Sequence, residues 1–219
     1  KNKNIYTIEN VVGFNLSGAN QLKIGKNLTY DDVLSSIEGQ SPDGVLVDSI
    51  DDQKIADKVF KISQKGVLMV SGINALSIKD AFIKLFGMGL TGYDIASTVK
   101  VVSAQRLLPK LCPDCKHRET ATKSMLLRKG FTESDLEGID VSWKLYNADG
   151  CTACNHTGVK GVQPVFDILK IDEDLKEILL NESVDNVLRY IEDRDINLKT
   201  LIIDKIKKGV VALNNLDNL

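Results

Sequence analysis

Apolar positions in the first hundred residues switch between two periods. Short apolar runs at Asn4–Ile8, Gly44–Ile50 and Gly66–Ser71 predict strands, and the β-branched second run reads as buried. Ile55, Val59, Phe60 and Ile62 recur at helical spacing and predict a helix over Asp51–Gln64. Val33, Leu34 and Ile37 do the same for Tyr30–Glu38. Ser77 can cap a helix running to Phe86, ended by Gly87 and Gly89. A further helix is expected from Tyr93 to Leu108, stopped by Pro109. Strands separated by helices predict a parallel sheet in an α/β layer fold.

Beyond Pro109 the pattern loosens. Thr120–Lys129 looks helical, and Thr132 with Asp135 resembles the opening of a short helix. Thr157–Gly161 reads as loop and Val165–Ile171 as strand. The last fifty residues repeat at 3.6, predicting helices over Asp172–Leu180, Ser183–Asp193 and Leu198–Lys208, with a frayed tail at Asn214–Leu219.

The 219 residues suffice for one large domain or two small ones. With 43% hydrophobic and 26% charged residues, the composition is that of a globular protein. No apolar run approaches the ~18 residues that a membrane-spanning helix needs. Net charge is −2, and acidic and basic residues nearly balance across Pro109–Gln163. That balance argues against a nucleic-acid-binding module.

All four cysteines fall in two Cys-x-x-Cys pairs, Cys112 with Cys115 and Cys151 with Cys154. Each pair can offer two thiolates from one turn, which suits tetrahedral Zn²⁺. Disulfides, a redox dithiol and an iron–sulfur cluster use the same residue type. A secretory leader is not seen, and a redox Cys-x-x-Cys usually occurs once; four thiolates remain compatible with an iron–sulfur cluster. His117 and His156 each follow a pair by two residues and read as surface imidazoles. Free thiols suit a reducing cytoplasm.

The residues flanking the cysteines carry a resemblance. They are Gln105-Arg106-Leu107, then Leu111-Cys112-Pro113-Asp114-Cys115-Lys116, then Gly150-Cys151-Thr152-Ala153-Cys154-Asn155-His156-Thr157-Gly158, and Phe166-Asp167-Ile168-Leu169. The chain resembles the C-terminal region of bacterial type II secretion and type IV pilus assembly ATPases, in which such segments bracket a tetracysteine zinc subdomain. The resemblance implies a partial RecA-like parallel-sheet core over 1–108, a zinc-binding subdomain over 109–163 and a C-terminal helical subdomain over 164–219. It also implies a phosphate-binding loop before Lys1, since Gly18–Asn27 has neither the spacing nor the hydroxyl of one. ATP with Mg²⁺, a hexameric ring and inner-membrane platform proteins are the implied cofactor, assembly and partners. The implied location is the cytoplasmic face of the inner membrane.

The family's catalytic boxes match only in part. Thr7-Ile8-Glu9-Asn10-Val11 keeps the glutamate of the Asp box and loses its aspartate and proline. At the Walker B segment, Ser41 to Asp52, the glutamate that polarises water is replaced by Ser49 and the arginine by Asp51. Both histidines of the His box are absent from Gly66–Leu76. Glu9 and Asp48 are the remaining catalytic candidates; their simpler roles are a surface carboxylate and a residue at a strand end on the edge of the sheet. Asp51 and Asp52 read as an N-cap and a first-turn acid, favoured by the dipole of the following helix. Arg106 reads as a salt-bridge residue near the zinc subdomain. The expectation is a catalytically degenerate motor acting as a structural or regulatory subunit; the alternative is an active ATPase whose catalytic residues have shifted. A chaperone-like zinc module fits less well, because the glycines around Cys151–Gly158 are wrongly spaced.

Overall fold

The computed structural model describes residues 3–129, 131–133, 136 and 143–216. Asp135, in the short helix expected after Thr132, lies outside them. Contacts divide the chain into two compact units, Lys1–Val102 with Lys170–Glu192, and Ser103–Leu169 with Asp193–Leu219.

The first unit is built on a four-stranded parallel sheet of β1 (Ile5–Glu9), β2 (Ala19–Lys23), β3 (Gly44–Val47) and β4 (Leu68–Ser71), in the order β2-β1-β3-β4. The α/β class with a parallel sheet is as the periodicity predicts. β3 lies between β1 and β4, so Asp48 follows an inner strand rather than the sheet edge expected for it. Val45 and Val47, which share one face of β3, are buried, and Leu46 on the other face is half-buried.

Helices α1 (Tyr30–Ile37), α2 (Gln53–Gln64) and α3 (Ile78–Gly87) match the predicted periodicity. Side-chain oxygens of Thr29, Asp52 and Ser77 accept from backbone N–H groups in their first turns. The N-cap is therefore Asp52 and not the expected Asp51, which instead accepts from Ser49 Oγ at 2.5 Å. Later in this unit come α4 (Gly92–Thr98), α6 (Glu173–Asn181) and α7 (Val184–Glu192). Gly92 fixes how closely α4 meets α6: a Cβ there would sit 1.8 Å from the Leu179 carbonyl oxygen.

The helix expected over Tyr93–Leu108 is corrected by the structure. It ends at Thr98, and β5 (Val101–Leu111) follows. The β-branched residues Thr98, Val99, Val101 and Val102 disfavour helix, and exposure alternates with period two along β5. Its partner is β8 (Val159–Lys170), which also begins earlier than expected and takes in Val159–Gly161.

In the second unit, β6 (Lys116–Ala121) pairs antiparallel with β7 (Trp143–Ala148). The helix expected over Thr120–Lys129 shrinks to α5 (Lys123–Arg128), because its first residues join that ladder. Leu108, Leu126, Leu145 and Val165 pack with Ile202 and Ile206 of α8 (Leu198–Lys207) to form the core. Leu213–Leu216 forms a 3-10 turn with Leu216 buried, so the chain stays packed through residue 216, past the start of the expected fraying. Asp167 on β8 is buried and receives both terminal nitrogens of Arg194, at 3.2 and 3.0 Å. Among the described residues, no helix is long and apolar enough to cross a membrane.

Candidate metal centre

The two Cys-x-x-Cys pairs converge within the second unit. The four sulfurs lie within 4.8 Å of one another, and theirs is the one cluster of three or more potential metal-holding side chains among the described residues. Cys112 to Cys151 and Cys115 to Cys154 are each 3.9 Å apart, and Cys151 to Cys154 is 3.8 Å. Four sulfurs ~2.3 Å from a single tetrahedral ion stand about 3.8 Å apart. A disulfide requires ~2.05 Å. An iron–sulfur cluster, several atoms across, spreads its thiolates farther than one ion does. The donor set and its spacing therefore fit a single tetrahedral metal ion.

Local backbone geometry makes the second pair a compact loop. Cys154 N–H donates to the Cys151 carbonyl at 3.1 Å and His156 N–H to the same oxygen at 2.8 Å. Asn155, His156 and Gly158 all have positive φ, which turns the chain back on itself. Gly158 is required twice over: its φ is +71°, and a Cβ would lie 2.7 Å from the Ala148 carbonyl oxygen. The turn aims two backbone N–H groups at one sulfur. Cys151 N–H and Gly158 N–H reach Cys154 Sγ at 3.2 and 3.3 Å. Gly158 also ties the first pair to the second, since its carbonyl accepts from Cys112 N–H at 2.9 Å.

Those donors set the thiol chemistry. The Cys151 backbone N–H, with help from that of Gly158 and against desolvation, draws the Cys154 thiol down to about 6. Desolvation pushes Cys115 up to about 12. A lowered Cys154 thiol favours the thiolate that a cation takes as ligand, and the bound cation's charge favours deprotonation of the rest. Neither histidine joins the cluster: His117 Nδ1 lies 3.4 Å from Asp149, and His156 is exposed in the turn. Asp114 pairs with Lys160 at 3.5 Å. Arg106, half-buried on β5, lines a cleft with Leu108, Ile202 and Asn215.

The other candidates, Glu9 and Asp48, stand at the C-terminal ends of β1 and β3, where open α/β sheets bind ligands. Both are engaged. Asp48 Oδ1 accepts from the Tyr30 hydroxyl, and Oδ2 accepts from Asn10 N–H at 2.7 Å. Glu9 Oε1 accepts from Thr7 Oγ1 at 2.6 Å and Gln21 Nε2 at 3.2 Å. Desolvation first, and the Asp48 carboxylate second, raise the Tyr30 hydroxyl above its ordinary value, so it stays a donor. Sequence reasoning missed Tyr30, Asn10 and Gln21, because nothing in local periodicity says that a tyrosine opening one helix faces an aspartate after another strand. These side chains offer no cluster of carboxylates for Mg²⁺ like the one the cysteines form for a single ion.

The model of the family described as type II/IV secretion system protein matches residues 1–218. The type II secretion system ATPase E of Vibrio cholerae is 30% identical over 214 residues, which are 96% of this chain and 41% of that protein. The type IV pilus assembly ATPase PilB of Acinetobacter baylyi is 29% identical over 222 residues, 99% of this chain and 38% of that one. Among solved structures, the pilus retraction motor PilT with bound ADP superposes with a TM-score of 0.69 at 13% identity, covering 100% of this chain and 53% of that one. The Legionella pneumophila ATPase DotB gives 0.68 at 12% identity, covering 99% and 51%. These structures establish likeness of fold, and the chain spans about two-fifths of the two curated relatives' length. By the family match across nearly all its residues, and by the α/β fold those structures share, the chain belongs to the type II/IV secretion system protein family.

Proposed function

We propose that the chain is the C-terminal motor region of a type II secretion or type IV pilus assembly ATPase that has kept the motor scaffold and lost hydrolysis. It would act as a structural or regulatory subunit of a secretion or pilus machine. The observation that carries this reading is the state of Asp48. Both its oxygens are taken by protein donors, while Ser49 stands where the family resemblance has its water-polarising glutamate. Phosphoryl transfer needs a metal at the β/γ-phosphates and a positioned water. Loss of a positioned base alone costs ~10²–10⁴ in rate.

In this reading the four cysteines hold structural Zn²⁺ within residues 109–163, and the metal carries no chemistry. The chain assembles with other subunits in a hexameric ring and docks on inner-membrane platform proteins at the cytoplasmic face. ATP with Mg²⁺ occupies a site completed by residues outside this chain, bound without being cleaved. The test is steady-state ATP hydrolysis by the whole natural protein, zinc-loaded and assembled. Turnover at the background rate is expected. Turnover of order one per second or faster, in the range of ordinary enzymes, abolished by Asp48→Asn, would instead establish the alternative of an active motor with shifted catalytic residues.

A further inference from the structure

β1 and β2 are neighbouring parallel strands, with Ile5 opposite Ala19 and Glu9 opposite Lys23. The chain leaves the C-terminal end of β1 and must return to the N-terminal end of β2, about 16 Å back at ~3.3 Å per residue. Parallel neighbours usually need a crossover of a dozen or more residues, most often a helix. Here residues 10–18 make the return alone, without a helix. The loop buries little to hold itself: Val11 is 76% exposed and Phe14 83%. It contains no charged residue. Something other than apolar packing must offset the entropy of ordering it.

We propose that Asp48 is a positioning residue that fixes this crossover, acting with Gln21 as two side-chain clamps, one at each end of the loop. At the entry, Asp48 Oδ2 accepts from Asn10 N–H at 2.7 Å. The carboxylate is itself anchored by the Tyr30 hydroxyl, which also accepts from Asn10 Nδ2 at 2.9 Å. At the exit, Gln21 Oε1 accepts from Leu16 N–H at 2.7 Å and Gln21 Nε2 donates to the Phe14 carbonyl at 2.9 Å. The same Nε2 reaches Glu9 at 3.2 Å. Hydrogen bonds to a charged acceptor are the stronger kind, so the entry clamp dominates. The two carboxylates that the family resemblance leaves as catalytic candidates thus both serve the loop between them, Asp48 directly and Glu9 by steadying Gln21. This goes beyond the proposed function, because it holds whether or not the whole protein turns over ATP.

Residue-resolved hydrogen exchange on the 219-residue chain, read by NMR, tests it in the wild type, Asp48→Asn, Tyr30→Phe and Gln21→Ala. Asp48→Asn should speed exchange at Asn10 by about tenfold or more, the scale set by losing a hydrogen bond to a charged group. Gln21→Ala should act at Leu16, and β3 and α2 should keep their protection in both. If Asp48→Asn does not fold, Tyr30→Phe, which keeps the carboxylate and removes its anchor, should give the same localised change. Unchanged exchange over residues 10–18 in a folded variant overturns the proposal, as does a change spread evenly over the unit. A third arm adds submillimolar Mn²⁺. Broadening of the Asn10 and Tyr30 resonances in the wild type that vanishes in Asp48→Asn would make Asp48 a metal ligand instead; no site-specific broadening is expected.

Discussion

Replacing Arg194 by alanine should be among the most damaging single changes in the second unit. Asp167 is only 3% exposed and sits on β8 between the buried Val165 and Leu169. Arg194 meets it with both terminal nitrogens, at 3.2 and 3.0 Å. Arg194→Ala removes the partner and leaves a carboxylate in an apolar setting. Breaking a buried pair in this one-sided way costs about 3–5 kcal/mol, a large part of the ~5–15 kcal/mol that holds a typical protein folded. With a urea dependence near the upper end of ~1–3 kcal/mol per molar, the midpoint should fall by about 1–2 M. The assay is urea unfolding followed by the fluorescence of Trp143, the chain's one tryptophan, which lies on β7 of the same unit. Arg194→Lys keeps the charge and loses the two-pronged geometry, so it should fall between. The double variant Asp167→Val with Arg194→Met removes both charges and should recover most of the loss, because buried pairs are often replaceable by apolar groups. A drop below about 1 kcal/mol for Arg194→Ala would refute the reasoning, as would a double variant no better than the single.

Four further outcomes are expected. Metal analysis of protein purified without chelator should find about one zinc per chain, and Cys154→Ser should lower it well below that; a metal-free protein with four titratable thiols would overturn the site. Chelation should raise hydrogen exchange in β6 and β7 before it touches the parallel sheet, since the binding energy of a structural ion is folding energy of the module that holds it. Gly92→Ala should destabilise the first unit by about 1–3 kcal/mol or more, because its methyl would press on the Leu179 carbonyl; a thermal midpoint equal to wild type would show that α4 and α6 can part freely. Tyr30 gives an alkaline signature: its hydroxyl titrates above the ordinary value of 10.0 in the folded state, so the unfolded chain loses that proton first. Its contribution is thus full below pH 10 and declines as pH rises past it, and wild type should lose more stability than Tyr30→Phe between pH 9 and 11 in matched urea titrations.

Much of the fold was written locally. Helices α2 and α3 follow from their periodicity and, for α3, from Ser77 at its start, and β1, β3 and β4 from short apolar runs. The candidate metal centre was legible for a related reason: a Cys-x-x-Cys turn already brings two sulfurs close, so spacing alone nominates the ligands. Elements whose identity depends on a distant partner were not legible. β2 (ANQLK) and β7 (WKLYNA) are polar or mixed, and become strands by pairing with β1 and β6. β5 was mistaken for the continuation of a helix, because the hydrogen bonds that make it a strand come from β8.

The same division runs through the carboxylates. Sequence nominated Glu9 and Asp48 as the remaining catalytic candidates. Only the tertiary structure decided what they touch, since Tyr30 and Asn10 reach Asp48 from eighteen and thirty-eight residues away. Periodicity and capping act over a few residues and leave their mark in the chain's order. Pairing of strands, convergence of the two cysteine turns and the engagement of Asp48 depend on which distant surfaces meet when the apolar faces are buried.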